Sequence, residues 1–162
     1  MLKLYKQVDN EIHYWETWDQ DKKTGIIHWG VVGEPGQNKE IKSGILSSFR
    51  KEIQNEINKQ LENGYGVIDE DDHFTLLIEY KVIEMGTPED LEKRTRLQSK
   101  MDEVLGWTGL GHCDGGSIGS GTMEVCCFVV DFEIAKNVIE TELEDTEFAD
   151  YLRIFDENAQ EN

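Results

Sequence analysis

Leu2 and Leu4 alternate with Lys3 and Lys6 across residues 1–7, the period-two pattern of a half-buried strand. Asp9-Asn10 signals a turn, since both side chains can bond the nearby backbone. Residues 12–18 carry Tyr14, Trp15 and Trp18, which suit a second strand. Residues 26–32, IIHWGVV, predict a third, and Gly33 to Gln37 a tight turn. The period then changes. Apolar residues at 45, 46, 49, 53, 57 and 61 form one helical stripe, with Ser43 as the expected cap and Gly64 as the stop. The first part of the chain therefore reads β-β-β-turn-α.

The second part opens on the acidic run 69–72 (DEDD) and continues into FTLLIEYKVI at 74–83. There Leu76, Ile78, Tyr80 and Val82 share one strand face, and Leu77 lies on the other. Thr87-Pro88-Glu89-Asp90 predicts a helix start, and the helix is expected to run to Leu105 with Leu91, Leu97, Met101, Val104 and Leu105 inward. Gly106 to Thr122 reads as a glycine-rich loop able to hold a short strand. After it, 123–131 predicts a central strand, Asp131 caps a helix over 132–143, and 151–155 alternates as a last strand. The order β-α-β-β-α-β is the ferredoxin-like pattern, in which the first and third strands are central and the helices cover one face. The expected architecture is α+β: an N-terminal antiparallel β unit with one helix, then a ferredoxin-like unit. The boundaries are 1–68, an acidic linker at 69–73, the second unit at 74–156 and a polar tail at 157–162. The uncovered sheet face, with Leu77 and either Cys126 and Phe128 or their neighbours, needs a cover from the first half or from a second copy, which makes a homodimer one expected partner state.

Charge sharpens this division. The net charge is −18, but residues 1–66 net −1 and residues 67–162 net −17. An acidic field of that size repels phosphate backbones and attracts basic partners. No apolar run is long enough to span a bilayer, so no membrane partner is expected. The three cysteines, two of them adjacent, fit a reducing, cytoplasmic compartment better than a disulfide framework.

Trp29-Gly30-Val31-Val32-Gly33, then Pro35-Gly36-Gln37, then a helix containing Phe49 and Lys59, then Gly64-Tyr65, occur in order over about residues 1–68. This set resembles a WGR domain. In poly(ADP-ribose) polymerases such a domain contacts DNA and neighbouring domains, so the resemblance implies a β-rich unit associated with nucleic acid. Trp29 and Gln37 match motif positions. The third signature residue, an arginine in the family, is Val31 here, which cannot hold a phosphate. The fold therefore carries over better than the DNA binding. For Trp29 itself the residue type in a strand points to core packing, and for Gln37 to bonds within its own turn. The second half is similar to small uncharacterised bacterial proteins with a comparable Gly-Trp-Thr-Gly…Asp-Gly-Gly-Ser-Ile-Gly-Ser-Gly-Thr stretch. Some acidic proteins of that kind are immunity partners of secreted toxins.

The stretch 106–122 holds seven of the fifteen glycines together with Trp107, His112, Cys113 and Asp114. It lacks the spacings of a P-loop or a dinucleotide fingerprint, and no Lys or Arg occurs between Lys100 and Lys136. His112, Cys113 and Asp114 are metal-ligand types, but neighbours in an extended chain alternate, so His112 and Asp114 can converge while Cys113 cannot. A Cys-His-Asp catalytic set needs residues from distant segments rather than neighbours. Trp107 is expected to pin the loop to the core, and Asp114 to hold a turn. No catalytic residue and no cofactor is expected. The leading expectation is a non-catalytic acidic recognition module that binds a basic protein, with Trp29, Gln37, Trp107, His112 and Asp114 as candidate contacts. A nucleic-acid-associated regulator and a metal or thiol enzyme built on His112, Cys113 and Asp114 are the alternatives.

Overall fold

In the computed structural model, which describes residues 1–45 and 47–159, the chain divides into two compact units, Met1–Asp69 and Glu70–Asn162. The first is an antiparallel meander of β1 (Leu2–Val8), β2 (Glu11–Asp19), β3 (Thr24–Val31) and β4 (Gln37–Lys42), followed by α1 (Phe49–Glu62). Register places Tyr5 opposite Tyr14 and Trp15 opposite Trp29. Leu4, Trp15, Ile27, Ile41, Phe49 and Ile53 form the core between sheet and helix, and Trp29, Ile57 and Tyr65 pack against it. Gly66 pairs with Tyr5 and ties the end of the unit back to β1.

Two features differ from the sequence reading. β4 has no counterpart in the sequence pattern, which places a turn at 33–37 and the next element at 45. Its sequence QNKEIK buries only Ile41, so it carries no alternation to read, and its place at the sheet edge explains why none is needed. The helix starts at Phe49 rather than 45, and Ile45 is fully exposed. The expected stripe position Leu46 lies outside the described residues. Ser43 nevertheless serves the helix start from a distance: its hydroxyl accepts the Phe49 N–H at 3.1 Å.

The second unit contains β5 (Phe74–Lys81), α2 (Pro88–Trp107), β6 (Gly111–Gly119), β7 (Thr122–Val129), α3 (Phe132–Leu143) and β8 (Arg153–Asp156). The antiparallel sheet has the order β6-β7-β5-β8. The first and third strands of the unit, β5 and β7, are thus central, as the ferredoxin-like pattern requires. Met123, Val125, Cys127 and Val129 face Leu76, Ile78 and Tyr80 across the β5–β7 ladder and are buried on the helix side. Fully buried Leu97, Met101 and Leu105 of α2 and Ala135, Ile139 and Leu143 of α3 complete this core. Leu91 is exposed and Val104 half-buried, because the inward row of α2 runs 97-101-105, four residues apart. Thr87 and Asp90 form a reciprocal capping box at α2, and Asp131 accepts the Ile134 N–H at α3. On the other sheet face lie Leu77, Cys126, Phe128 and Phe155. Residues 160–162 of the expected polar tail are outside the described part of the chain. No described helix is long and apolar enough to cross a membrane.

Buried phenols give the fold a testable alkaline limit. Tyr14 is pushed up to about 12, first by burial and then by the Glu16 carboxylate; burial likewise raises Tyr5 and Tyr80. In the unfolded chain these groups ionise near pH 10, so above that pH the unfolded state has released protons that the folded state retains. Stability is therefore complete below pH 10 and falls as pH rises through the window up to about 12 for Tyr14. Tyrosinate absorbance from these residues should rise together with loss of circular dichroism, rather than ahead of it.

Candidate functional site

The glycine-rich stretch is mostly strand, not loop. Backbone amides and carbonyls of β6 pair with β7 from Gly111↔Val129 to Gly119↔Thr122. Ser120 (φ 53°) and Gly121 (φ 88°) make the two-residue turn, which needs left-handed conformations at both positions. Register shifts between Cys113 and Gly116: Asp114 and Gly115 oppose Cys126 alone, a β-bulge. Gly116 sits so close to β7 that a Cβ there would overlap the Glu124 carbonyl oxygen. The glycines thus allow an edge strand to bend against its neighbour.

This geometry sorts the candidate residues. His112 lies opposite Phe128, with ring centroids 5.7 Å apart. His112 and Asp114 line one concavity of about 450 Å³ with Phe128, Glu70, Asp71 and His73. Cys113 faces the other side of the strand: it lies opposite the buried Cys127, and its N–H donates to Asp102 of α2 at 3.2 Å. The three neighbours therefore do not form one ligand set, and no group of three or more His, Cys, Asp or Glu among the described residues is arranged to hold a metal. Trp107 is the last residue of α2 and is 46% exposed, so it is not the core anchor expected of it. Leu110 takes that place, fully buried, with backbone bonds to Leu105 and Val130.

Sequence reasoning missed Glu70, Asp71 and His73. The run 69–72 was expected to be a solvated linker. Instead Glu70–Asp72 winds into a single 3-10 turn, and the His73 N–H donates to the Glu70 carbonyl at 3.1 Å. This turn leads directly into β5, whose first residue pairs with Val129 beside Gly111, so it arrives at the same end of the sheet as His112. The only available signal was the acidic run itself. The resulting cleft is lined by carboxylates, imidazoles and the Phe128 ring, with no Lys or Arg among its described lining residues. Such a lining favours a cationic group, by charge and by the face of the ring.

The motif residues of the first unit also share a concavity, of about 310 Å³, that includes Trp29, Val31, Glu34, Gln37 and Tyr65. Gln37 is directly opposite Trp29 across the β3–β4 ladder. The described lining holds no Lys or Arg. Beneath it is a buried polar chain. The Glu16 carboxylate takes Lys3 Nζ at 3.1 Å and His28 Nδ1 at 2.7 Å, and His28 Nε2 meets the Tyr14 hydroxyl at 3.2 Å. A carboxylate only accepts, so Nδ1 carries the hydrogen and Nε2 is free to accept from Tyr14. His28 is therefore a fully buried structural residue. A further concavity of about 720 Å³ lies along β8 and the start of α3, between Phe74, Phe132 and Phe155, with Lys136 and Arg153. Its cations are partly committed: Arg153 pairs with Glu79 at 3.0 Å.

No family model matches the chain, and neither a curated protein nor a solved structure matches it.

Proposed function

We propose that this protein is a non-catalytic, acidic recognition module that binds a basic protein, of the inhibitor or immunity kind. The observation that carries the reading is the cleft at the β6–β7 end of the second unit. Glu70, Asp71 and Asp114 line it together with Phe128, within the half of the chain that nets −17. A lysine or arginine side chain inserted into it would meet carboxylates at its head and an aromatic ring along its stem. The surrounding field would speed encounter with a basic surface. The WGR resemblance leaves nucleic-acid association as the alternative; the described residues lining the concavity at Trp29 and Gln37 include no Lys or Arg.

The test is affinity capture at low salt from a lysate of the source cells, followed by elution with rising salt. Basic proteins should be retained and then released as salt screens the field. Asp114→Asn should weaken binding of the recovered partner about two- to fivefold, the size of one exposed ion pair. Phe128→Ala should weaken it as well. Retention indifferent to salt, or a partner unaffected by both substitutions, would overturn the reading. Retention of nicked DNA at physiological salt would favour the alternative.

A further inference from the structure

Cys113 and Cys127 are placed for a different chemistry, independent of what the cleft binds. They are direct partners across the β6–β7 ladder. Residues directly opposed in an antiparallel pair have Cα atoms about 4.5–5.5 Å apart, inside the roughly 4.4–6.8 Å range of disulfides. Both thiols are free, and as directly opposed residues they leave the ladder on the same sheet face. Cys127 is fully buried and Cys113 half-buried, so one sulfur is shielded and the other can be reached. The bulge begins at the residue after Cys113, and β6 is an edge strand, so the backbone there can shift by the small amount a covalent bond requires. Cys126 is excluded. It lies opposite Leu77, on the other sheet face, and faces the bulge rather than a β6 partner.

We infer that Cys113 and Cys127 are a redox-active cross-strand dithiol, with Cys113 as the attacking thiol and a small-molecule disulfide as oxidant. Cys113 attacks one sulfur of the oxidant RS–SR, forming a mixed disulfide and releasing one RSH. Cys127 then attacks the Cys113 sulfur, forming the intramolecular bond and releasing the second RSH. Two protein thiols are oxidised, one small disulfide is reduced, and the two thiol protons leave on the two RSH molecules. The pairing supports these roles. The opposed Cys127 thiol lowers Cys113 from the usual thiol value, against burial and then the carboxylates of Asp102 and Asp114. The same pairing, then burial, raises Cys127 well above that value. The lower member of such a pair carries the thiolate fraction.

The full chain is equilibrated with mixtures of oxidised and reduced glutathione, quenched with an alkylating agent and mapped by mass spectrometry. The expected result is joint loss of two alkylatable thiols, a peptide linked through Cys113 and Cys127, Cys126 still alkylated, and full reversal by excess dithiothreitol. Cys126→Ser should behave as the parent protein. Cys113→Ser should leave Cys127 alkylatable after denaturation at every ratio. Three free thiols at all ratios, a persistent glutathione adduct on Cys113, or a link that involves Cys126 or a second chain would each overturn the proposal.

Discussion

Replacing His28 with leucine is expected to cost the first unit about 3 kcal/mol, the upper range for leaving a buried charged acceptor without one of its hydrogen bonds. Glu16 is almost fully buried and takes its shortest contact, 2.7 Å, from His28 Nδ1. Leucine fills the space but donates nothing, so the carboxylate keeps Lys3 and loses its other partner. The Tyr14 hydroxyl loses its 3.2 Å contact with His28 Nε2 at the same time. A buried group that loses its bond carries the desolvation penalty with nothing to offset it. The measurement is urea unfolding followed by tryptophan fluorescence in a Trp107→Phe background, where the remaining Trp15, Trp18 and Trp29 all report on the first unit. Glu16→Leu combined with His28→Leu should be less damaging than the sum of the two, because removing both partners removes the orphaned charge. A loss below about 1 kcal/mol would show the chain of polar groups to be less committed than its geometry indicates.

Gly36→Ala should produce a comparable loss by a different route. A Cβ at this position would overlap the Trp29 carbonyl oxygen and the Tyr14 hydroxyl and would come within 2.8 Å of His28 Nε2. The Trp29 carbonyl belongs to the β3 strand and cannot retreat alone, and Tyr14 is fully buried. Relief requires moving the 33–37 turn away from β3, which uncovers the same polar chain. Overpacking costs about 1–3 kcal/mol and more where the neighbours are backbone, so about 3 kcal/mol or above is expected. Gly44→Ala, where a Cβ would meet the Ser47 hydroxyl at 3.0 Å and no other described residue, is the control and should stay within about 0.5 kcal/mol. Equal effects at the two positions would sink the explanation. Close packing over Tyr14 and His28 thus accounts for glycine at position 36 of the 33–37 turn.

The strands and helices that local pattern could reveal were those with an apolar face turned to a core. Leu2 and Leu4 in β1, the aromatic run of β2, the apolar run of β7 and the 97-101-105 row of α2 carry their period in the residues themselves. The order of these elements was enough to imply β5 and β7 at the centre of the second sheet, since chain connectivity leaves few arrangements. β4 carried no strand signal, and β6 only the expectation of a short strand within a loop. QNKEIK and GHCDGGSIG bury one residue each and show no apolar alternation, because backbone bonds to one neighbour hold them at the sheet edge.

The candidate site divides in the same way. Alternation in an extended chain was sufficient to separate His112 and Asp114 from Cys113. It could not bring Glu70, Asp71 and His73 to the same cleft, because those residues lie some forty positions away and meet it only through the β5–β7–β6 ladder. Nor could it pair Cys113 with Cys127, since that depends on a bulge that shifts the register by one residue. Sequence alone determined the two-unit α+β order and the acidic second half, because period and charge are local sums. Tertiary structure decided that the glycine-rich stretch is an edge strand, and which side chains it carries to each face, because register belongs to two strands at once.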